Sequence, residues 1–166
     1  DPPVESIGGL PRLFRSFEAF NRAMETVPSD NHALQFCLGN WSAMGADLDA
    51  AIEHFGERDE IAYVHFQTIS SPLPKFNEVF IDQEGYYEPH EIIAKFDDVG
   101  FDGLIIPGHV PKLQGDGQYL NHDDRSDLDV KGHGGWKERG RAFTTGYLRC
   151  LIDTQLREEE TAVSGD

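Results

Sequence analysis

Short apolar runs of strand type alternate with longer runs of helical period along this chain, and no other feature limits its fold as tightly. Residues 32–38 (HALQFCL), 61–67 (IAYVHFQ) and 103–107 (GLIIP) are each bounded by Gly, Pro, Asn or Asp, which predicts strands. Around them lie helical patterns. Phe14, Phe17, Phe20, Met24 and Val27 recur at spacings of three, three, four and three, which sets them on one helical face. Residues 46–55, 89–98 and 140–156 give three further patterns of this kind. Pro28 stops the first helix and Gly100 caps the third. Strands beginning near 32, 61 and 102 with a helix between each pair make a βαβαβ series, which requires parallel strands joined by right-handed crossovers.

Such a series builds either an open sheet or a barrel. No GxGxxG or Walker-type phosphate loop follows any of the strands, which weakens the nucleotide-binding open sheet. Two strands also carry an unusually polar face. Leu34, Phe36 and Leu38 alternate with Gln35 and Cys37; Ala62, Val64 and Phe66 alternate with Tyr63, His65 and Gln67. An apolar face against helices and a face of Gln, Cys, Tyr and His fit a TIM-barrel strand near an active site. A complete eight-stranded barrel takes roughly 250 residues, and 166 residues hold three or four βα units. The chain is then part of a barrel, a half-barrel that pairs with another copy, or an open α/β sheet.

A hydrophobic content of 39% with 11% aromatics is enough for a core, so the chain is not a disordered tail. Against 14 Lys and Arg stand 30 Asp and Glu, a formal charge of −16, which argues against nucleic acid or an anionic membrane surface as partner. No stretch approaches the roughly 20 apolar residues that span a bilayer, and the first ten residues have no basic and apolar leader regions. A cytoplasmic protein is expected. Two cysteines, Cys37 and Cys150, are too few for a disulfide framework. The first residue is Asp, so the sequence reads as a fragment or a processed product. Acidic residues cluster at Asp123 to Asp129 and near the end, and lysine is scarce, at five residues. That surface belongs either to a protein kept soluble in high salt or to an acidic cytosolic protein with an acidic tail.

The candidate chemistry lies at strand ends. Cys37 ends the first strand and His65 stands near the end of the second, so both fall at the carboxyl-end rim where barrel enzymes keep their sites. A thiolate and an imidazole on neighbouring strands are either two ligands of a divalent transition metal or a buried core cysteine beside a hydrogen-bonded histidine. His109 follows Pro107 and Gly108 beyond the third strand and is either a general acid or base over the mouth or a solvated loop histidine. His32, His54, His90, His122 and His133 carry less. The Gly- and Asp-rich stretch 113–139 is a lid or acidic filler. Its His122-Asp123-Asp124 run lacks the spacing of a calcium loop and reads first as solvated surface.

Several blocks are more specific than any of these residues alone. DPPVESIGG, RLFRSFEAF, FCLGNWSAMG, YVHFQ followed by PKFNEVFID, GFDGLIIPGHVP and GRAFTTGYLR together resemble the C-terminal half of mannonate dehydratase, in that family's order and spacing, from residue 1 to about 152. The resemblance implies a metal-dependent lyase on a barrel similar to xylose isomerase, which converts D-mannonate to 2-keto-3-deoxy-D-gluconate in glucuronate breakdown. It implies Mn2+ or Fe2+ as cofactor, Cys37 and His65 as metal ligands, and His109 as an acid–base residue. Residues 1–156 are then the C-terminal half of a TIM (β/α)8 barrel, with an acidic loop at 113–139, and residues 157–166 an acidic tail expected to be disordered. Such a half exposes strand edges and an apolar face, so the N-terminal half-barrel or self-association is expected as a partner.

The departures from the family pattern fall at the site. Gly108 stands where the family has an Asp ligand, Gln67 where it has an Arg expected to hold the anionic substrate, and Phe143 where it has a Tyr. Gln67 can donate a hydrogen bond but not the charged, bidentate contact of a guanidinium. A further His ligand of the family would lie just before Asp1. Beside the dehydratase stand a divergent sugar-acid isomerase or epimerase on the same barrel, and a non-catalytic paralogue that kept the packing.

Overall fold

The computed structural model describes residues 4–114, 116 and 137–163, with side chains as far as 157. After an antiparallel pair, β1 (Ser6–Ile7) and β2 (Leu10–Pro11), comes α1 (Phe17–Thr26). Ser16 starts that helix by accepting the Ala19 amide on its hydroxyl at 3.3 Å, the usual work of an N-cap. β3 (Leu34–Cys37) then runs straight into α2 (Leu38–Ala43), and α3 (Leu48–Gly56) leads to β4 (Ile61–His65). A second antiparallel pair, β5 (Thr68–Ile69) with β6 (Glu78–Val79), projects from the end of β4. α4 (Pro89–Asp98), β7 (Leu104–Ile106) and α5 (Glu138–Val163) complete the order.

β3, β4 and β7 form one parallel sheet in that order, and with the two antiparallel pairs the molecule is an α/β fold with mixed sheets. Side chains alternate across a strand, and here the register makes rows. Phe36, Val64 and Ile105 are neighbours on one face, where Phe36 and Val64 are wholly buried with Trp41, Ile52, Phe55 and Phe96 from the helices. On the other face Gln35 lies beside Tyr63 and Leu104, and Cys37 beside His65 and Ile106. Leu104 is 71% exposed there. The polar strand face read from the sequence is therefore the face that the helices leave uncovered.

Several boundaries differ from the sequence reading for local reasons. Leu38 belongs to α2, since Cys37 already serves as that helix's N-cap. The register shifts between Leu34 and Gln35, so Leu34 pairs with Ile61 and Gln35 with Tyr63; Ile61 joins the buried face and Ala62 is exposed. Phe14 precedes α1 and packs on Phe20 at 5.2 Å between ring centres, while Val27 is 65% exposed at the helix end. Gly100, at φ +72°, follows α4 as expected of a glycine stop. α5 runs beyond 156 to Val163, into the segment where a disordered tail is expected; its Leu, Arg and Glu run is made of good helix formers. Most of the acidic loop expected at 113–139 and the end of the tail lie outside the described residues. No helix among the described residues is long and apolar enough to cross a membrane.

Candidate active site

Parallel strands put all their carboxyl ends at one edge of the sheet, and that geometry gathers the chemistry-bearing residues here. Cys37 and His65 are direct neighbours in the β3–β4 register. Gln67 leaves the end of β4, and Gly108 and His109 leave the end of β7. The His65 and His109 rings are 6.5 Å apart, edge to face.

His65 is held by its neighbours across the sheet. The Gln35 amide stands 2.6 Å from its Nδ1, and Gly108 leaves room for the ring, since a Cβ at 108 would fall 2.7 Å from His65 Cβ and Cγ. Burial, and then the nearby charges of His109 and Arg141, hold its pKa below the ordinary histidine value. His65 is therefore neutral near pH 7, the form that can accept a hydrogen bond or ligate a metal.

Cys37 is buried, and burial pushes its thiol pKa up despite opposing hydrogen bonds from the Asn40 and Gly39 amides at the start of α2. Its S–H donates to Gln67 Oε1 at 3.5 Å. The Gln67 side chain lies directly over Gly39, where a Cβ would come within 2.1 Å of Oε1. Buried Tyr87 donates to the Gln67 backbone carbonyl at 3.0 Å, and burial drives the phenol's ionisation far above its usual range.

Two residues not singled out from the sequence complete the group. Glu78, on β6, accepts from Gln67 Nε2 at 3.2 Å and from Lys137 Nζ at 2.8 Å, and its Oε1 is 3.7 Å from His109 Nδ1. Lys137 is the residue before α5. That helix is seated by Gly140, where a Cβ would lie 2.9 Å from the Pro111 carbonyl, and by Arg141, which donates to the Gly108 carbonyl at 2.9 Å. Phe143 stands apart from the polar group, exposed, with its ring edge-on to Phe80 at 5.6 Å.

The donor types suit a divalent transition ion, as thiolate and imidazole do, but they are two. Among the described residues no group of three or more His, Cys, Asp and Glu side chains is placed to hold a metal. Cys37 and His65 do not make a metal centre by themselves, and the residues of β7, Leu104 to Ile106, add no donor. His122, His133 and the run from Asp123 to Asp129 lie outside the described residues. His54 is elsewhere, donating to Asn21 Oδ1 at 2.7 Å between α3 and α1. A cavity of about 510 Å3 lies at the opposite end of the sheet, beside His32 and Glu60, which lead into β3 and β4. It is remote from the histidine pair.

A family model described as D-mannonate dehydratase (UxuA) matches residues 1–160. The chain belongs to the mannonate dehydratase family. Mannonate dehydratase 2 of Halalkalibacterium halodurans is 30% identical over 167 residues, 99% of this chain and 42% of that protein. The mannonate dehydratase of Thermotoga petrophila is 28% identical over 112 residues, 66% of this chain and 31% of its own length. The crystal structure of mannonate dehydratase from Streptococcus suis superposes with a TM-score of 0.75 at 24% identity, over 96% of this chain and 42% of that one. The two share a fold. This mannonate dehydratase family chain thus spans less than half the length of those relatives, and the family read from its sequence blocks is confirmed.

Proposed function

We propose that this chain carries the C-terminal half of a mannonate dehydratase-like hydro-lyase, with residues 1–156 supplying three to four βα units of a (β/α)8 barrel. One observation supports the reading above others: Cys37, His65 and His109 meet at the carboxyl ends of a parallel sheet, in a chain of this family. The substrate is D-mannonate and the product 2-keto-3-deoxy-D-gluconate. Cys37 and His65 are this chain's two donors to Mn2+ or Fe2+, the rest of the shell coming from outside the described residues. When bound, such an ion polarises the sugar acid's oxygens and acidifies the C–H beside the carboxylate.

The remaining work falls to side chains. The proton of that C–H passes to a base outside the described residues, while His109, exposed at the mouth, delivers a proton to the hydroxyl on the neighbouring carbon, which leaves as water; the enol then becomes the keto acid. Gln67 keeps Cys37 and Glu78 in place through its amide. The rest of the barrel, or a second copy, covers the open face with Leu104. The acidic, lysine-poor surface suits a cytoplasm of high salt.

The decisive experiment incubates the full-length protein with D-mannonate and Mn2+ and follows the 2-keto-3-deoxy acid. Product that is lost in H109N supports the reading. Gly108, Gln67 and Phe143, at positions where the family resemblance leads one to expect Asp, Arg and Tyr, favour the non-catalytic paralogue, and absence of both product and bound metal leaves that reading standing.

A further inference from the structure

Glu78 is the junction of the polar group, and the dehydratase reading gives it no task. Its carboxylate is fixed from two directions. Lys137 holds Oε2 at 2.8 Å, and Gln67 Nε2 holds Oε1 at 3.2 Å. Gln67 cannot readily release it, because its own carbonyl oxygen is turned toward the Cys37 thiol at 3.5 Å and its backbone is pinned by Tyr87. β6 is paired to β5 immediately after Gln67, with Ile69 opposite Glu78, so the backbone beneath the carboxylate is tied to the end of β4. The braced Oε1 faces His109 Nδ1 across 3.7 Å. That gap is longer than a hydrogen bond, and a small rotation of the exposed imidazole closes it; catalytic contacts often tighten only with substrate bound.

A carboxylate oxygen facing a ring nitrogen is attracted by an N–H there and repelled by a lone pair. We infer that Glu78 is a positioning residue for His109: it selects the Nδ1–H tautomer and leaves Nε2 to face the substrate. The other charged or titratable groups near this pair are Lys137, His65 and Arg141. Lys137 is drawn to the far carboxylate oxygen, His65 engages Gln35, and Arg141 is bound to the Gly108 carbonyl. Glu78 is thus the anion placed to choose the tautomer. The inference rests on His109 as the proton-transfer residue.

The test uses the full-length protein labelled with 15N-histidine, with the His109 signals assigned by their loss in H109N. Ring 15N shifts of the neutral wild type are expected to report protonation at Nδ1, and those of E78A a shift to the Nε2–H form that an unconstrained histidine side chain prefers. If E78A fails to fold, E78Q, which keeps an acceptor but no charge, is expected to show a mixture. In turnover with D-mannonate, E78A lowers kcat by about tenfold or more with KM within about twofold, the mark of an interaction made in the transition state. Ring shifts unchanged in a folded Glu78 variant overturn the inference whatever the turnover. A wild type that makes no product sinks the dehydratase reading instead, and the tautomer measurement still decides the role of Glu78.

Discussion

Two glycines decide how the site's side chains lie. At Gly39 and Gly108 a single methyl would meet Gln67 and His65 within 3 Å, so each bare Cα is the floor on which a functional side chain rests. In G108A the His65 ring must turn off residue 108, and its contact with Gln35 is expected to break. The His65 ring signals in a histidine-labelled sample would then move, with a loss of about 1 kcal/mol in stability for the broken hydrogen bond. Wild-type His65 signals in G108A would show that the ring does not depend on that space. The cysteines separate in the same way. Cys150 is exposed on α5 and Cys37 is buried with a raised thiol pKa, and the thiolate is the form that reacts. Alkylation of the native protein followed by peptide mass mapping is expected to label Cys150 and spare Cys37 until denaturant is added.

Between elements, α1 and α3 are joined by His54, whose ring lies 4.8 Å from both Phe17 and Phe55 while it donates to Asn21. Burial, and then the Arg58 guanidinium, hold its pKa below the ordinary 6.5, against the opposite pull of Glu60 and Glu25. The unfolded chain therefore takes up this proton first on acidification, and the stability from neutral His54 is present above about pH 6.5 and lost as pH falls toward its folded pKa. Thermal midpoints of wild type and H54Q measured between about pH 7 and pH 5 are expected to fall more steeply for the wild type. Parallel slopes would remove His54 from the linkage.

Element by element, the sequence was legible wherever a pattern ran long enough to repeat. The parallel strands and helices α1, α3, α4 and α5 follow from periodicity, and the positions of Cys37, His65 and His109 follow from strand ends. α2 escaped because six residues hold too few turns to repeat, and β5 and β6 because two residues cannot alternate. The bulge at Leu34 and Gln35 broke the alternation in β4 without any glycine or proline to mark it. Glu78 and Lys137 left no signal at all, since the bond between them joins positions 59 residues apart.

For the whole molecule the charge of −16 is the dominant quantity. Simple screening of that self-repulsion is largely complete by about 1 M salt, where the Debye length is about 3 Å. A protein adapted to high salt is expected to keep gaining thermal stability in KCl beyond that point, and a plateau below it would assign the acidity to ordinary solubility. Scans of the full-length protein across KCl concentrations distinguish the two. The uncovered sheet face, with Leu104 71% exposed, predicts that the 166-residue chain alone self-associates; a folded monomer on size-exclusion chromatography would contradict that.

The rows across the parallel sheet tie the edge that carries Cys37 and His65 to the interior by simple parity. Phe36, Val64 and Ile105 alternate with Gln35, Cys37, Tyr63 and His65 along the same strands, so moving one strand by a single residue would turn the imidazole and thiol inward and a phenylalanine or valine outward. An insertion or deletion within β3 or β4 would disrupt the core and the proposed site together, whereas the segments after β4 and β7 that carry Gln67, Glu78 and His109 escape this coupling. A lineage of such chains could thus change the side chains around the site at those loops while its strands stayed in step.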